Sequence, residues 1–218
     1  MLLTVEQVAQ ALAKPLPGVA GQMRMAPQPY NQSNHKRWIL PADCREAGVL
    51  LLLYSHLNQE NVPESYIIFT RRPDTMSAHS GQISFPGGRR EVGETLEETA
   101  LRETAEELGI PTDTLQIVGQ LSTLYTPPSN FCIYPFVAFS PVRPNFYPNL
   151  FEVAEMIEAP LSLLLKPQTY KREIWYFENF GKREIPFFDI FGHKVWGATA
   201  MILSEFLTLL TMDSCSAD

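Results

Sequence analysis

The chain has 218 residues, of which 45% are hydrophobic, and its formal net charge at pH 7 is −7. This length is enough to bury a sizeable core, so we expect one domain with extensions. The acidity argues against a general nucleic-acid binder, whose contact surface is basic. The three cysteines, Cys44, Cys132 and Cys215, are far apart and include no Cys-x-x-Cys pair. This pattern predicts free thiols in a reducing cytoplasm, and neither a disulfide frame nor a zinc site.

The N-terminal segment predicts an amphipathic helix that begins after Thr4. It has no basic region, and Glu6 and Gln7 interrupt its apolar run, which is not the pattern of a secretory signal peptide. The longest apolar run of the chain, residues 49–54, is too short to span a bilayer, so we expect no membrane partner. Residues 15–47 contain five prolines among polar residues, which predicts a connector that wraps the surface without continuing a helix.

The rest of the chain alternates β-rich runs with turn residues and ends in a helix. The predicted strands cover residues 49–54, 66–72, 116–125, 131–139, 170–177 and 185–190, the last two forming a hairpin. Partial alternation in residues 116–139 suits strands that are covered on both faces. The final helix follows Gly197, and its predicted buried face consists of Leu203, Phe206, Leu207 and Leu210. The aromatic residues of this region are more typical of a core than of a cofactor site.

The most heavily charged helix-forming stretch covers residues 87–110 and holds seven glutamates and three arginines. Thr95 and Glu98 have the spacing of a capping box, and Gly109 supplies a left-handed stop. These signals predict a helix of about thirteen residues.

Three carboxylates of this helix, Glu103, Glu106 and Glu107, share one face because residues three and four apart are neighbours. Like charges this close raise one another's pKa unless a cation lies among them, and a hard divalent ion such as Mg²⁺ prefers oxygen ligands. The alternative is a solvated acidic face, stabilised by pairs such as Glu98 with Arg102.

The spacing of the charged residues favours the metal site. The stretch resembles the Nudix box, the phosphate-hydrolase motif of Nudix proteins, at all seven of its fixed positions. Only Thr104 departs, at a position where the family usually has an aliphatic residue. The seven matching positions are Gly88, Glu94, Arg102, Glu103, Glu106, Glu107 and Gly109.

This resemblance implies an α/β/α sandwich with a mixed β-sheet between helices. It also implies metal-assisted attack of water on phosphorus, with Arg102 orienting Glu103. A carboxylate outside the box often completes such a site, and the resemblance favours Glu152 or Glu155, of which Glu152 is our candidate catalytic residue. Glu103 or this later carboxylate would accept the proton of the water. The implied ligands of Mg²⁺ or Mn²⁺ are Glu103, Glu106 and Glu107.

The segment before the box carries a second resemblance, to the motif of coenzyme A diphosphatases, at Thr70, Arg72, Gly81, Phe85, Pro86, Gly87 and Gly88. Two positions depart: Pro73 replaces a small residue, and Ser77 stands where the family has a second arginine. Ser77 removes a bidentate phosphate ligand, which Arg71, Arg89 or Arg90 would have to replace. The alternative is a Gly/Pro-rich strand exit that binds no ligand. The implied substrate-binding residues are Thr70, Arg71, Arg72, Gly81, Phe85, Gly87 and Gly88.

The sequence shows no His-Glu-x-x-His pair and no Gly-x-Ser-x-Gly elbow, so metal-assisted hydrolysis is the one chemistry with a full set of parts. The resemblance implies that coenzyme A or an acyl derivative is split into 3′,5′-ADP and phosphopantetheine. ADP-ribose or another nucleoside diphosphate derivative is the alternative substrate, and a non-catalytic nucleotide-binding module is the alternative role.

The expected organisation has three parts. We expect residues 1–47 to form an N-terminal helix and a Pro-rich connector that pack on the domain, residues 48–212 to form the Nudix hydrolase domain, and residues 213–218 to form a C-terminal tail. We expect the protein to act on a small nucleotide as a monomer or homodimer in the cytoplasm, without a nucleic-acid partner.

Overall fold

The fold is built around strand β1 (Arg45–Leu57), in a computed structural model that describes residues 1–28, 40–74, 81–178 and 181–212. Residues 50–54 of this strand are all buried, which is the pattern of a strand covered on both faces. β1 pairs in parallel with β7 (Phe131–Ser140) and antiparallel with β2 (Pro63–Arg71). The sheet is therefore mixed, as predicted.

Five shorter strands complete this sheet of eight. β3 (Ile83–Ser84) and β8 (Glu155–Pro160) pair with β2, and β4 (Gly87–Arg89) pairs with β1. β5 (Gln116–Gln120) and β6 (Leu124–Thr126) both pair with β7. The β1–β4 pairing is important for the site because it carries Gly87 and Gly88 to the middle of the sheet.

Helices cover both faces of the sheet. On one face, helix α3 (Leu96–Leu108) packs with Leu50 and Leu52 through Ala100. The opposite face packs against α1 (Val5–Leu12) and α5 (Gly197–Met212). This layering confirms the predicted α/β/α sandwich. The predicted cap of α1 at Thr4 is also confirmed, and so is the predicted start of α5 at Gly197.

A second sheet of three strands follows the main sheet along the chain. β9 (Tyr170–Phe177) and β10 (Gly181–Ile190) form the predicted hairpin, although residues 179–180 of its turn lie outside the described residues. The third strand, β11 (His193–Trp196), was not predicted, and it leads directly into α5. The short helix α4 (Leu161–Leu164) connects β8 to this sheet.

The predicted connector of residues 15–47 is wrong for its first part, which forms helix α2 (Gly18–Met23). Pro17 precedes this helix, and proline is excluded only from the helix interior, so it does not prevent a helix from starting. The buried carboxylate of Glu205 on α5 accepts hydrogen bonds from the Gly18 backbone N (3.1 Å) and from Gln22 Nε2 (2.9 Å). These bonds hold α2 against α5.

The prediction of free thiols is also wrong, because Cys44 and Cys132 form a disulfide with a Cα–Cα distance of 5.8 Å. The parallel pairing of β1 with β7 places Arg45 opposite Phe131, which brings the two cysteines together across 88 residues of sequence. Sequence spacing cannot reveal this proximity. Cys215 lies outside the described residues. None of the helices in the described part of the chain has the length and apolar character needed to cross a membrane.

Candidate active site

Helix α3 has the boundaries that the capping signals predict. The Thr95 hydroxyl accepts a hydrogen bond from the Glu98 backbone N, and Glu98 Oε2 accepts one from the Thr95 backbone N at 2.8 Å. The helix ends at Gly109, whose φ of 63° is left-handed. These caps fix the axis of the helix and hence the face on which its carboxylates lie.

Arg102 gathers the acidic residues of the box. Its Nε atom lies 2.5 Å from Glu94 Oε1, and its Nη1 atom lies 2.9 Å from Glu103 Oε1 and 3.1 Å from Glu106 Oε2. Hydrogen bonding from Arg102 lowers the pKa of the Glu94 carboxyl to about 2. Glu98 is bound at the helix cap, so the Glu98–Arg102 pair of a plain solvated face is not formed.

Glu107 is the most buried carboxylate of the helix, with 4% of the residue exposed. Its Oε2 atom accepts a hydrogen bond from Thr70 Oγ1 at 3.2 Å. The pKa of Glu107 is raised to about 7, chiefly by burial and to a smaller extent by the charges of Glu103 and Glu152, while Arg72 and the Thr70 hydrogen bond oppose the shift. An ionised Glu107 therefore needs more positive charge than Arg72 provides.

Glu103 lies between Arg102 and the backbone of Gly88. Burial raises the pKa of Glu103, Arg102 opposes this shift, and Glu106 and Glu152 add to it. A methyl group at Gly88 would overlap the Glu103 carboxylate in its present position, so glycine allows this carboxylate to approach the β4 backbone closely. Gly88 was predicted to let a ligand approach the backbone, and in the structure it lets the Glu103 carboxylate approach instead.

The loop after β7 brings one further carboxylate to the helix. The Asn149 backbone N donates to the Glu107 carbonyl (2.9 Å), and Asn149 Nδ2 donates to Glu152 Oε1 (3.2 Å). Glu152 consequently lies close enough to Glu103 and Glu107 to raise the pKa of both. The other candidate, Glu155, is bound instead to Arg71 Nε (3.1 Å) and His193 Nε2 (3.2 Å).

The residues predicted to bind substrate lie in two groups. Thr70 contacts Glu107, while Arg71 is paired with Glu155 and Asp74, and Gly81 lies against Asp74 with a φ of 65°. The second group lines a cavity beside Glu103 and consists of Arg72, Phe85, Gly87 and Gly88.

Three arginines, Arg71, Arg89 and Arg90, are the predicted substitutes for the phosphate-binding arginine that is absent at position 77. Arg89 lines the same cavity, whereas Arg71 is held in ion pairs and Arg90 is bound to Glu46 at 2.6 Å. Ser77 itself lies outside the described residues. Arg89 is therefore the candidate best placed to reach a ligand.

The cavity has a volume of about 790 Å³ and was not predicted. The turn between β6 and β7 and the first turns of α5 form its far wall. The aromatic residues of the C-terminal region were predicted to lie in the core, but Trp196 lines this cavity. The far-wall side chains include Tyr125, Phe131, Ile133, Trp196, Met201 and Ile202.

The carboxylates offer the oxygen ligands that a hard divalent cation prefers, and burial has raised the pKa of two of them. Within the described ranges, however, no three Asp, Glu, His or Cys side chains converge into a ready-made metal cage. Arg102 draws Glu103 and Glu106 toward itself, so metal binding requires one of them to turn toward Glu107. The donor set fits a hard divalent cation after this rearrangement.

Thr104, the one departure from the box, is fully buried. Its hydroxyl donates to the Ala100 carbonyl at 2.7 Å, within the same helix. The polar group is thereby satisfied and only the methyl group faces the packing, which explains why threonine replaces an aliphatic residue here.

Comparison with known proteins gives one consistent result. The family profile described as NUDIX domain matches residues 45–156. The chain is similar to two proteins named uncharacterized Nudix hydrolase NudL, one from Yersinia pestis (strain Pestoides F) and one from Yersinia pseudotuberculosis serotype O:1b (strain IP 31758). Each is 32% identical to this chain over 179 residues, which is 81% of this chain and 85% of the relative. The crystal structure of a Nudix hydrolase from M. Smegmatis, RenU, is similar in fold, with a TM-score of 0.50, 15% identity and coverage of 80% of this chain and 88% of that chain.

Proposed function

The chain belongs to the Nudix family of hydrolases, and on that premise we propose that it hydrolyses the diphosphate of coenzyme A or an acyl derivative to 3′,5′-ADP and phosphopantetheine. The hydrolase activity is supported by the cluster of Glu103, Glu107 and Glu152. These carboxylates lie close enough for the charge of Glu152 to raise the pKa of both Glu103 and Glu107. The coenzyme A part is supported by the match of residues 70–88 to the diphosphatase motif.

In this proposal, Glu103, Glu106 and Glu107 bind Mg²⁺ or Mn²⁺. The metal supplies positive charge that stabilises the phosphoryl oxygens during attack by water. Arg102 holds Glu103 in position until the metal binds, and Thr70 holds Glu107. Glu152 completes the site as the further catalytic carboxylate, a choice supported by the engagement of Glu155 with Arg71 and His193.

The substrate-facing residues follow from the same arrangement. Arg72 and Arg89 line the cavity beside Gly87 and Gly88, so they are the guanidinium groups that we propose for binding the phosphates. Phe85 packs on Phe69, with ring centroids 5.0 Å apart, and holds this edge of the cavity in place. ADP-ribose stays the alternative substrate. The intact carboxylate set argues against a non-catalytic binding module.

We also propose a monomer or homodimer acting in the cytoplasm without nucleic-acid partners. The net charge of −7 supports the last point. The Cys44–Cys132 bond is of a kind that is uncommon in the cytosol, so alkylation of thiols in freshly lysed cells tests the compartment. Rapid labelling of both cysteines would support the cytoplasm, and protection of both would contradict it.

The substrate test compares coenzyme A, 3′-dephospho-coenzyme A and ADP-ribose in the presence of Mg²⁺ or Mn²⁺, with identification of the products. A guanidinium that binds the 3′-phosphate should favour coenzyme A by about tenfold or more in kcat/KM, since a hydrogen bond to a charged group contributes ~1.5–3 kcal/mol. Arg89→Gln should reduce this preference.

Equal rates for the two coenzyme A forms would mean that the 3′-phosphate is not recognised. In that case Ser77→Arg should create the preference. If it does not, and ADP-ribose is cleaved faster than both, the coenzyme A assignment is replaced by the alternative substrate.

A further inference from the structure

The Glu152 carboxylate is held by a neutral side chain, whereas its acidic neighbours on α3 are bound to arginine. Asn149 Nδ2 donates a hydrogen bond to Glu152 Oε1 at 3.2 Å. Arg102 forms ion pairs with Glu103 and Glu106, but within the described part of the chain Glu152 forms no ion pair with a basic side chain. A neutral donor fixes the direction of a carboxylate and leaves its negative charge unpaired, which suits a group that accepts a proton from water.

The same asparagine is bonded to the helix that carries the acidic residues of the box. Its backbone N donates to the Glu107 carbonyl at 2.9 Å, and the Tyr147 backbone N donates to the Leu108 carbonyl at 2.8 Å. These two carbonyls belong to the last turn of α3, where a helix has no partners of its own for its C=O groups. The segment therefore caps the helix, and Asn149 fixes Glu152 relative to Glu107.

The turn that follows Asn149 is held by hydrogen bonds and not by apolar packing. Its side chains Leu150 and Phe151 are 76% and 91% exposed. Asn149 Oδ1 accepts a hydrogen bond from the Phe151 backbone N at 3.1 Å. The Asn149 carbonyl accepts from the backbone N of Glu152 at 3.0 Å and of Val153 at 2.8 Å. The position of Glu152 consequently depends on the bonds that one residue makes.

We propose that Asn149 is a positioning residue for the hydrolysis: its Nδ2–H group directs the Glu152 carboxylate at the attacking water, and its backbone ties that carboxylate to α3. In this step the water oxygen bonds to phosphorus, its proton passes to Glu152, and the P–O bond to the leaving phosphate group breaks. The inference rests on the proposed function, because Glu152 accepts this proton only in an enzyme that hydrolyses a diphosphate.

An isosteric change separates the positioning role from the turn. Asn149→Asp keeps the Oδ1 acceptor and the backbone bonds, but it replaces the Nδ2 donor with an oxygen that repels Glu152. Asn58→Asp is the matched control. Asn58 Oδ1 accepts from the Glu60 backbone N at 2.9 Å, and the Asn58 carbonyl accepts from the Asn61 backbone N at 3.0 Å, so this residue caps a turn of the same form. That turn joins β1 to β2, at the opposite end of β1 from its pairing with β4.

The first readout is steady-state hydrolysis of coenzyme A and of ADP-ribose with Mg²⁺. Asn149→Asp should lower kcat by about tenfold or more and change KM by less than about threefold, as expected when a hydrogen bond to a charged catalytic group is lost. Glu152→Gln should lower kcat by about 10²-fold or more. Asn58→Asp should keep the wild-type kcat and KM.

The double variant distinguishes positioning from a general disturbance. In the Glu152→Gln background, Asn149→Asp should cause no further loss of kcat, because the carboxylate through which Asn149 acts is already gone. A disturbance of the fold, or a direct effect of the new charge on the substrate, would lower kcat by the same factor in both backgrounds.

The second readout needs neither metal nor substrate, and it is the urea midpoint of unfolding in excess chelator. Asn149→Asp should lower the midpoint, because two carboxylates then face each other. Adding Glu152→Gln should restore it, because the glutamine amide donates to the new aspartate. Asn58→Asp should shift the midpoint by the same amount with and without Glu152→Gln.

The adverse outcomes can be told apart. Wild-type kcat in Asn149→Asp or in Glu152→Gln, in an enzyme that hydrolyses either substrate, would overturn the positioning role and leave the hydrolase activity standing. Coupling of the two positions in the urea midpoints without coupling in kcat would make the contact structural only, which also overturns the positioning role. A wild-type protein that hydrolyses neither substrate would overturn the proposed function, and the positioning role with it.

Discussion

Two adjoining regions of the molecule, the acidic site and the apolar cavity, are built in opposite ways. The acidic site takes Glu103, Glu106 and Glu107 from two turns of one helix. The cavity takes its lining from segments near residues 27, 47–49, 72, 82–89, 125–133 and 196–202, which meet only in the folded chain. Gly87 and Gly88 form the border between the two regions.

The two regions also differ in what their burial does. In the acidic site, burial raises the pKa of Glu103 and Glu107, so full ionisation of these carboxyls is favoured only when a cation is bound. In the cavity, the wall hydroxyls are bonded internally, so the surface offers area without charge. This difference predicts that catalysis and substrate selection can be changed separately, and the following predictions test that separation.

Removal of the metal should have the largest effect and should act on one region alone. Excess chelator should abolish hydrolysis of every diphosphate substrate, because ionised carboxylates without a cation repel the anionic substrate. The far-UV circular dichroism should stay that of a folded protein. Mg²⁺ or Mn²⁺ should restore the activity. Unfolding on chelation would show that the metal is structural, and activity that survives chelation would refute the metal site.

Glu107→Gln should lower kcat by about 10²-fold or more, because one charge leaves the metal site while the side-chain volume and the Thr70 contact are kept. The matched control is Glu97→Gln, an exposed position on the first turn of the same helix, which should retain full activity. Near-normal turnover in Glu107→Gln would remove the carboxylate face from the mechanism.

The difference in construction explains what the sequence could predict. The box, the caps of α3 and the crowding of its three carboxylates are local, so spacing along one helix was enough to find them. The bond from Arg102 to Glu94 and the contact of Thr70 with Glu107 join separate segments, and the box pattern alone does not reveal them. The fold also places Glu152 near Glu103 and Glu107 and pairs Glu155 with Arg71, a difference that sequence could not show for two residues only three apart.

The cavity and the disulfide lie beyond local reasoning for a related physical reason. Trp196 has the same apolar character whether it fills a core or lines a cavity, so its role depends on what the surrounding segments leave empty. Cys44 and Cys132 meet because of strand order, which turn and hydrophobic patterns specify only in part. Helix α2 was missed because prolines mark where a helix begins as well as where it cannot continue.

The remaining prediction concerns stability, and it isolates Glu107 from the cavity. The pKa of Glu107 is raised to about 7 in the folded protein, from 4.5 for an unperturbed glutamate. Below pH 4.5 both states hold the proton, so Glu107 adds no pH dependence there. As pH rises from 4.5 to 7, the unfolded chain releases the proton first, which lowers the free energy of unfolding by about 3 kcal/mol, and the loss is complete above pH 7.

Urea unfolding in excess chelator between pH 4 and pH 8 measures this loss. Wild type and Glu97→Gln should both lose stability as pH rises, whereas Glu107→Gln should lose less, because glutamine does not titrate and still accepts the Thr70 hydrogen bond. The Glu107→Gln variant should therefore be the more stable protein above pH 7 without metal. Added Mg²⁺ should reverse that order, since it binds the ionised carboxylate of wild type and stabilises the folded state by mass action. Parallel pH profiles for all three proteins would mean that Glu107 does not hold its proton in the folded state, and the electrostatic contrast between the acidic site and the cavity would then lose its main support.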